Sequence, residues 1–344
     1  MFSKYFGRLF IASLLTISFV IALTACANGD VVSVVPTTQP SSVQSAEIKT
    51  ELEKLTLTAT TSIVADWVQQ VGGERVVVET IVPPGVDAHS YQVTPEGVKK
   101  ISDSDFVFGI GVQYEDKWLL KLLENYPDDR VTFLGDLIDP IPFKDDHEEG
   151  EEQDEHEEDE EHDEHEGHGH GQFDPHVWFD PIRVASIASI IGAELKLMDP
   201  EGTQYYDDRV KVYVSDLYTL NSNIMSEVEQ IPIHDRVILT SHESLGYLEA
   251  RYGFRVLTAV LPGLDGDIAS TPKDLVHAIE AIEENDVTVI FTDETRSAKA
   301  VDRVAEETGI EVVSGLKVES LKNGQTYIEF METNINIILF HLKK

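Results

Sequence analysis

The hydrophobic and polar positions of this chain alternate between two periods. Short β-branched or apolar runs predict strands at residues 55–60, 75–82, 105–110, 130–134, 236–240, 254–260, 287–292 and 311–314. Amphipathic segments with helical spacing separate them, which indicates βαβ units and mostly parallel sheets. We therefore expect an α/β fold with two small (β/α) lobes, the first spanning residues 55–200 and the second residues 231–344.

One helical segment is longer than a lobe of this size needs. From Thr203 to about Gln230, apolar residues recur at helical spacing and no glycine or proline interrupts them. At 1.5 Å per residue, such a helix would extend roughly 40 Å. We interpret residues 201–230 as a rigid helix that links the two lobes.

The first 54 residues have a different character. Lys4 and Arg8 precede a nearly apolar run that ends in Leu23-Thr24-Ala25-Cys26, which is typical of a secretory signal and resembles a bacterial lipobox. Residues 1–26 are thus predicted to be a lipoprotein signal with Cys26 as the lipidated residue, and an uncleaved membrane helix is the alternative. Residues 27–54 are rich in Ser, Thr, Pro and Gln, which predicts a flexible tether.

The net charge of the chain limits the kinds of molecule that it is expected to bind. The formal net charge is −37, which argues against nucleic acid because phosphate binding needs a basic face. Much of this charge lies in residues 144–172, which cannot build a core and are expected to form a disordered loop. Its six histidines are His147, His156, His162, His165, His168 and His170. They suggest a weak zinc-collecting segment, although a merely solvated loop is the plainer interpretation.

Four residues that can bind metal follow predicted strands. They are His89, His176, His242 and Glu319. Ligands of open α/β sheets bind at the carboxyl ends of strands, so we expect these four in the cleft between the lobes. Three imidazoles and a carboxylate suit zinc. Nearby acidic residues could hydrogen-bond the imidazoles and orient them without binding the metal themselves. The candidates are Asp174, Asp180, Glu243 and Asp293.

Three motifs carry a family resemblance. Pro83-Pro84-Gly85-Val86-Asp87-Ala88-His89, Asp174-Pro175-His176-Val177-Trp178-Phe179-Asp180-Pro181 and Ser241-His242-Glu243-Ser244-Leu245-Gly246-Tyr247 resemble motifs of the zinc/manganese substrate-binding lipoproteins of ABC transporters. The resemblance is strongest to the zinc branch, because a histidine stands at the third ligand position, where manganese binders commonly have Glu. It implies two lobes joined by one long helix and metal ligation by His89, His176 and His242.

The fourth ligand position departs from the family pattern, since Glu319 stands where many relatives have Asp. Either Glu319 or a water is expected to complete the shell.

The resemblance also implies a role. It predicts a monomeric, lipid-anchored protein on the outer side of the cell membrane that captures Zn(II) and delivers it to an ABC permease. A manganese receptor or an adhesin of the same family is the alternative. A zinc hydrolase is a further one, since three histidines with an open position also describe catalytic zinc. No general-base motif such as His-Glu-x-x-His supports an enzyme.

Overall fold

The structure is a computed structural model of the chain. It describes residues 53–86, 88, 91–115, 117–123, 126–143, 172–240, 243–257, 276, 279–280, 282–285, 287–293 and 299–343. These residues belong to one compact unit, residues 51–344. The predicted signal, Cys26, most of the tether, and the six histidines of the acidic loop lie outside the described residues.

The N-terminal lobe is built on a parallel four-stranded sheet in the order β2-β1-β3-β4. Its strands are β1 (Leu55–Ala59), β2 (Val76–Thr80), β3 (Phe106–Gly109) and β4 (Val131–Phe133). Its connecting helices are α1 (Ser62–Gly72), α2 (Pro95–Asp103) and α3 (Lys117–Leu123). The predicted βα alternation is confirmed in this half of the chain.

The C-terminal lobe repeats this arrangement. Its strands are β5 (Val237–Thr240), β6 (Arg255–Leu257), β7 (Val289–Asp293) and β8 (Glu311–Leu316), again parallel and in the order β6-β5-β7-β8. The central strand β7 is buried along its whole length, which explains its unbroken apolar run. In both sheets the first strand lies beside the third, so the two halves share one topology.

Two consecutive helices connect the lobes. Helix α4 (Pro181–Met198) begins with Asp180 as its N-cap, whose carboxylate accepts hydrogen bonds from the backbone N–H groups of Ile182 and Arg183. After a 3-10 turn, helix α5 (Thr203–Val228) runs uninterrupted for 26 residues. The long helix predicted from the absence of glycine and proline is confirmed, and it packs along α4 and α1.

The described part of the chain also forms helices α6 (Gly246–Tyr252), α7 (Lys299–Thr308) and α8 (Tyr327–Leu342). Helix α8 begins with a capping box, in which the Thr326 hydroxyl accepts from the N–H of Glu329 and the Glu329 carboxylate accepts from the N–H of Thr326. The backbone N–H of Tyr327 also donates to Asp66 of α1, at 2.9 Å. The final helix therefore packs back against the first one.

Both lobes share one hydrophobic core. It includes Trp67, Trp178, Phe291 and Tyr327, all fully buried. The outer faces of the two sheets are covered by smaller apolar clusters, one around Val107 and one around Ile290. Because the main core is continuous between the sheets, the lobes are extensively packed together.

Two neighbouring hydroxyls at the start of α1 have different roles. Thr61 is the N-cap of the helix, and its hydroxyl accepts from the N–H of Val64. The Ser62 hydroxyl faces the C-terminal lobe and accepts from the N–H of Leu321 at 2.9 Å. Adjacent Thr and Ser are both good caps, so sequence preference does not separate them.

No helix in the described part of the chain combines the length and apolar character that a bilayer crossing requires.

A charged cluster fastens the start of α5 to the N-terminal lobe. Arg75 donates to both carboxylate oxygens of Asp199, at 2.6 and 2.8 Å, and the Tyr206 hydroxyl donates to the same group at 2.7 Å. The hydrogen bonds from Arg75 hold the pKa of Asp199 below its ordinary value. Both charged side chains are largely covered, so the pair should contribute measurably to stability.

We predict that Asp199→Asn lowers the free energy of unfolding at neutral pH by about 1.5–3 kcal/mol, the range for hydrogen bonds to charged groups. Because the folded-state pKa is lowered, this contribution is present above the unfolded pKa of about 3.9 and is lost as pH falls through the folded one. Urea unfolding at pH 7, 5 and 3 should show equal differences at the first two and a smaller one at the third.

The matched control for this prediction is Asp207→Asn, which breaks an exposed ion pair with Lys196. It should change stability by less than about 1 kcal/mol. Equal effects of the two substitutions would contradict the role given to Asp199.

Candidate metal centre

His176 lies at the junction of the two lobes and is fully buried. It sits between Pro175 and a single 3-10 turn, Val177–Phe179, which leads into α4. Its backbone N–H donates to Asp174 Oδ1 at 2.8 Å, and its Nδ1 lies 2.7 Å from the same oxygen. The carboxylate of Asp174 thus fixes the ring, and a proton held on Nδ1 leaves Nε2 as the nitrogen able to ligate.

Glu319 approaches this nitrogen from the C-terminal lobe. Its Oε1 lies 3.8 Å from His176 Nε2, and the residue is 7% exposed. Glu319 follows β8 in the segment Lys317–Leu321, which defines the β8 loop. The structure therefore brings together two of the four residues predicted to bind metal, one from each lobe.

The β8 loop is held from both sides. The N–H of Val318 donates to Asp293 Oδ2 at 3.0 Å, and its carbonyl accepts from Trp178 Nε1 at 2.8 Å. Asn334 of α8 bonds both the N–H and the carbonyl of Lys317. With its neighbouring backbone fixed in this way, Glu319 occupies a pre-organised position.

Aromatic rings wall the histidine off from solvent. Trp178 and Tyr114 meet His176 edge to face, at centroid distances of 5.2 and 6.3 Å. The two aromatic rings also contact each other, at 5.3 Å. A low-dielectric wall strengthens any electrostatic interaction inside the site.

The charge state of His176 reflects a balance of opposing effects. Burial disfavours the imidazolium, but the carboxylates of Asp174 and Glu319 outweigh burial and raise the pKa of His176 to about 9. Two carboxylates facing one imidazole make this junction attractive to a positive charge.

The two other predicted ligands, His89 and His242, lie outside the described residues. Two of their sequence neighbours can be placed. The N–H of Gly85, four residues before His89, donates to the Ser320 hydroxyl in the β8 loop at 2.6 Å. Thr240, two residues before His242, is the buried end of β5. In the described part of the chain, no three His, Cys, Asp or Glu side chains converge on one point.

The acidic residues considered as supporting groups have different roles. Asp174 bonds the imidazole as expected. Asp180 instead caps α4 and binds Arg251 through two hydrogen bonds, at 2.9 and 2.6 Å. Asp293 holds the backbone of the β8 loop, and Glu243 lines a cavity beside Asp174.

Sequence reasoning missed the serine pair that joins the lobes. The hydroxyls of Ser62 and Ser320 lie 3.3 Å apart, and both are buried. The only sequence signal was the position of Ser320 directly after Glu319.

Comparison with known proteins identifies the family. Residues 57–339 match the family described as zinc-uptake complex component A, periplasmic. The chain belongs to this family. Its members are substrate-binding transport receptors of ABC systems and not enzymes, so the hydrolase alternative is wrong.

Individual relatives in this family are named for several metals. The manganese ABC transporter substrate-binding lipoprotein PsaA of Streptococcus pneumoniae is 26% identical over 302 residues, covering 85% of this chain and 90% of its own. The iron-binding protein YfeA of Yersinia pestis is 26% identical over 290 residues, covering 83% and 86%. The chain is accordingly a divalent-metal receptor of an ABC transporter.

Solved structures share the fold. The periplasmic zinc binding protein TroA of Treponema pallidum superposes with a TM-score of 0.68 at 21% identity, covering 84% of this chain and 99% of its own. An Mn-bound periplasmic metal binding protein of Candidatus Liberibacter asiaticus gives 0.69 at 24% identity, covering 84% and 100%. The two-lobed α/β architecture predicted from the sequence is thereby confirmed.

We predict that Asp174→Asn lowers the pKa of His176 in metal-free protein from about 9 to roughly 6–8, because an adjacent opposite charge typically moves a pKa by about 1–3. The sign follows from losing the negative charge that stabilises the imidazolium. Nitrogen-15 NMR of the imidazoles across a pH series measures the change.

Exposed His234 provides an internal reference, and its imidazole signals should be the same in the spectra of both proteins. A His176 pKa that stays near 9 would show that Asp174 does not control the ring.

Proposed function

We propose that this protein captures Zn(II) outside the cytoplasm and delivers it to an ABC permease. The observation that carries the proposal is the approach of His176 Nε2 to Glu319 Oε1, 3.8 Å apart in a buried junction between the lobes. Ligands of a tetrahedral zinc with bonds of about 2.0–2.1 Å lie roughly 3.3–3.4 Å apart. A contraction of less than about 1 Å would let both atoms ligate one ion.

The proposed ligands are His89, His176, His242 and Glu319. The hydrogen bond from Gly85 to Ser320 supports the inclusion of His89, because it ties the turn before this histidine to the β8 loop that carries Glu319. The position of His242 directly beyond β5 supports its inclusion, since carboxyl ends of parallel strands collect ligands. Water at the fourth position, in place of Glu319, is the alternative.

Zinc is the metal that these donors favour. Three imidazole nitrogens and one carboxylate suit zinc, and zinc binds such sites more tightly than manganese in the general affinity order. The family description also names zinc uptake. Manganese is the second candidate, because relatives such as PsaA are named for it.

Delivery requires a place beside the membrane. We propose that Cys26 carries the lipid, that residues 27–54 form the tether, and that the protein acts as a monomer on the outer side of the cell membrane. The naming of relatives as lipoproteins supports this anchor. The histidine-rich run, residues 144–172, would gather zinc weakly near the site.

The metal assignment predicts the outcome of a competition. Protein purified without added metal should contain zinc as its main metal, and zinc should displace manganese completely. Elemental analysis before and after dialysis against equimolar zinc and manganese measures both. Protein that retains manganese against zinc would identify it as a manganese receptor.

The ligand assignment predicts a large loss of affinity. In a chain with residues 144–171 replaced by a short glycine-rich turn, which lets Phe143 and Gln172 keep their hydrogen bond, one tight zinc site should remain. His176→Ala in that chain should weaken it at least 10- to 100-fold, because removing a direct ligand should exceed the typical effect of changing a ligand's partner. Titration calorimetry with a competing chelator measures the affinity, and circular dichroism checks the fold.

Two further variants sharpen this test. His234→Ala removes an exposed histidine and should leave the affinity unchanged. Glu319→Gln should weaken binding, and an unaltered affinity there would assign the fourth position to water. Loss of the tight site on replacing residues 144–171 alone, with the fold unchanged by circular dichroism, would show that the acidic run supplies a ligand.

A further inference from the structure

The acidic run leaves and rejoins the fold through a short two-stranded stem. Pro142 and Phe173 pair as an antiparallel bridge, the N–H of Phe143 donates to Gln172 at 3.3 Å, and the N–H of Asp174 donates to Ile141 at 2.8 Å. Residues 141–143 and 172–174 define the stem. Asp174, which holds His176, is thus the last residue of this stem.

One side chain of the C-terminal lobe bonds both strands of the stem. The Tyr247 hydroxyl accepts from the N–H of Ile141 at 3.2 Å and donates to the carbonyl of Asp174 at 2.9 Å. The residue is 1% exposed. Burial raises the pKa of Tyr247 to about 12, so its hydroxyl keeps the proton that it donates at neutral pH.

Gly246, the residue before Tyr247, fits closely against the carboxylate of Asp174. A Cβ atom added to Gly246 would lie 2.5 Å from Asp174 Oδ2. Any larger residue would therefore displace that carboxylate or the start of α6. Gly246 and Tyr247 together restrain Asp174 at its side chain and its main chain.

This contact leads directly to the imidazole. Asp174 Oδ1 lies 2.7 Å from His176 Nδ1, so a shift of Asp174 turns or releases the ring. In the sequence, Gly246 follows His242 by only four residues. The start of α6 thus connects the segment that follows His242 to the carboxylate that orients His176.

We propose that Tyr247 is a positioning residue for the metal site, acting through Asp174 on His176. The hydroxyl and the adjoining Gly246 let the C-terminal lobe set the orientation of a ligand that belongs to the N-terminal lobe. The effect on metal binding rests on the proposed function, whereas the effect on the imidazole does not.

The test compares Tyr247→Phe with Tyr252→Phe in the full chain. Tyr252 is buried on the same helix, but its hydroxyl donates to Asn221 of α5 at 3.2 Å instead of bonding the stem. Each substitution removes one hydroxyl. Tyr247→Phe should speed zinc dissociation by about 3- to 10-fold, below the 10- to 100-fold typical of a direct partner of a ligand. Stopped-flow mixing with a chromogenic chelator measures the rate.

Two readouts separate positioning from general destabilisation. The imidazole nitrogen-15 shifts of His176 in metal-free protein should change in Tyr247→Phe and not in Tyr252→Phe. The effect of Tyr247→Phe on dissociation should also largely vanish when Asp174 is already Ala, because the side-chain acceptor through which Tyr247 would act on the ring is then gone. With Tyr247 unchanged, Gly246→Ala should also alter the imidazole nitrogen-15 signals of His176.

Unchanged His176 signals in Tyr247→Phe would overturn the proposal, as would an equal change in Tyr252→Phe. An undiminished effect in the Asp174→Ala background would do the same. If zinc does not bind tightly at all, the proposed function fails, and the imidazole signals alone still decide whether Tyr247 positions His176.

Discussion

A fully buried imidazole constrains everything around it. His176 has two ring nitrogens and no access to water, and an unsatisfied buried polar group is costly. Asp174 forms a hydrogen bond with one of these nitrogens, but a buried carboxylate must itself be held in place. The stem, Gly246 and Tyr247 hold Asp174, while the fixed backbone of the β8 loop brings Glu319 to the other nitrogen. The junction between the lobes is organised around this histidine.

The sequence predicted those features that depend on local pattern. Strand and helix alternation, the uninterrupted helix α5 and the position of His176 beside a stiff proline-flanked turn all follow from residues close together in the chain. The contacts that build the junction do not. Trp178 Nε1 bonds a main-chain carbonyl 140 residues away, and Ser320 bonds the N–H of Gly85. A hydrogen bond to a backbone group does not require a particular side chain at the partner position, so no residue pattern predicts these contacts.

His176 and Glu319 alone cannot determine which metal the protein binds. One imidazole nitrogen and one carboxylate oxygen are acceptable to zinc and manganese alike. Relatives of this chain are named for manganese and for iron. With the proposed ligand set, discrimination between metals would come from His89 and His242 and from how rigidly the scaffold fixes the spacing of the ligands. The bonds that restrain the β8 loop and Asp174 supply rigidity of this kind.

The packing of the final helix against the first has a consequence for biogenesis. Trp67 of α1 meets Tyr327 of α8 edge to face at 5.8 Å, and Asp66 accepts the N–H of Tyr327. These partners lie about 260 residues apart in the chain, so the N-terminal half cannot complete its own core while the polypeptide is still emerging. The apolar face of the N-terminal half stays incompletely covered until α8 has been made and packs against it. We therefore expect folding to be completed only after α8 has been synthesised, and the partly covered face to favour aggregation until then.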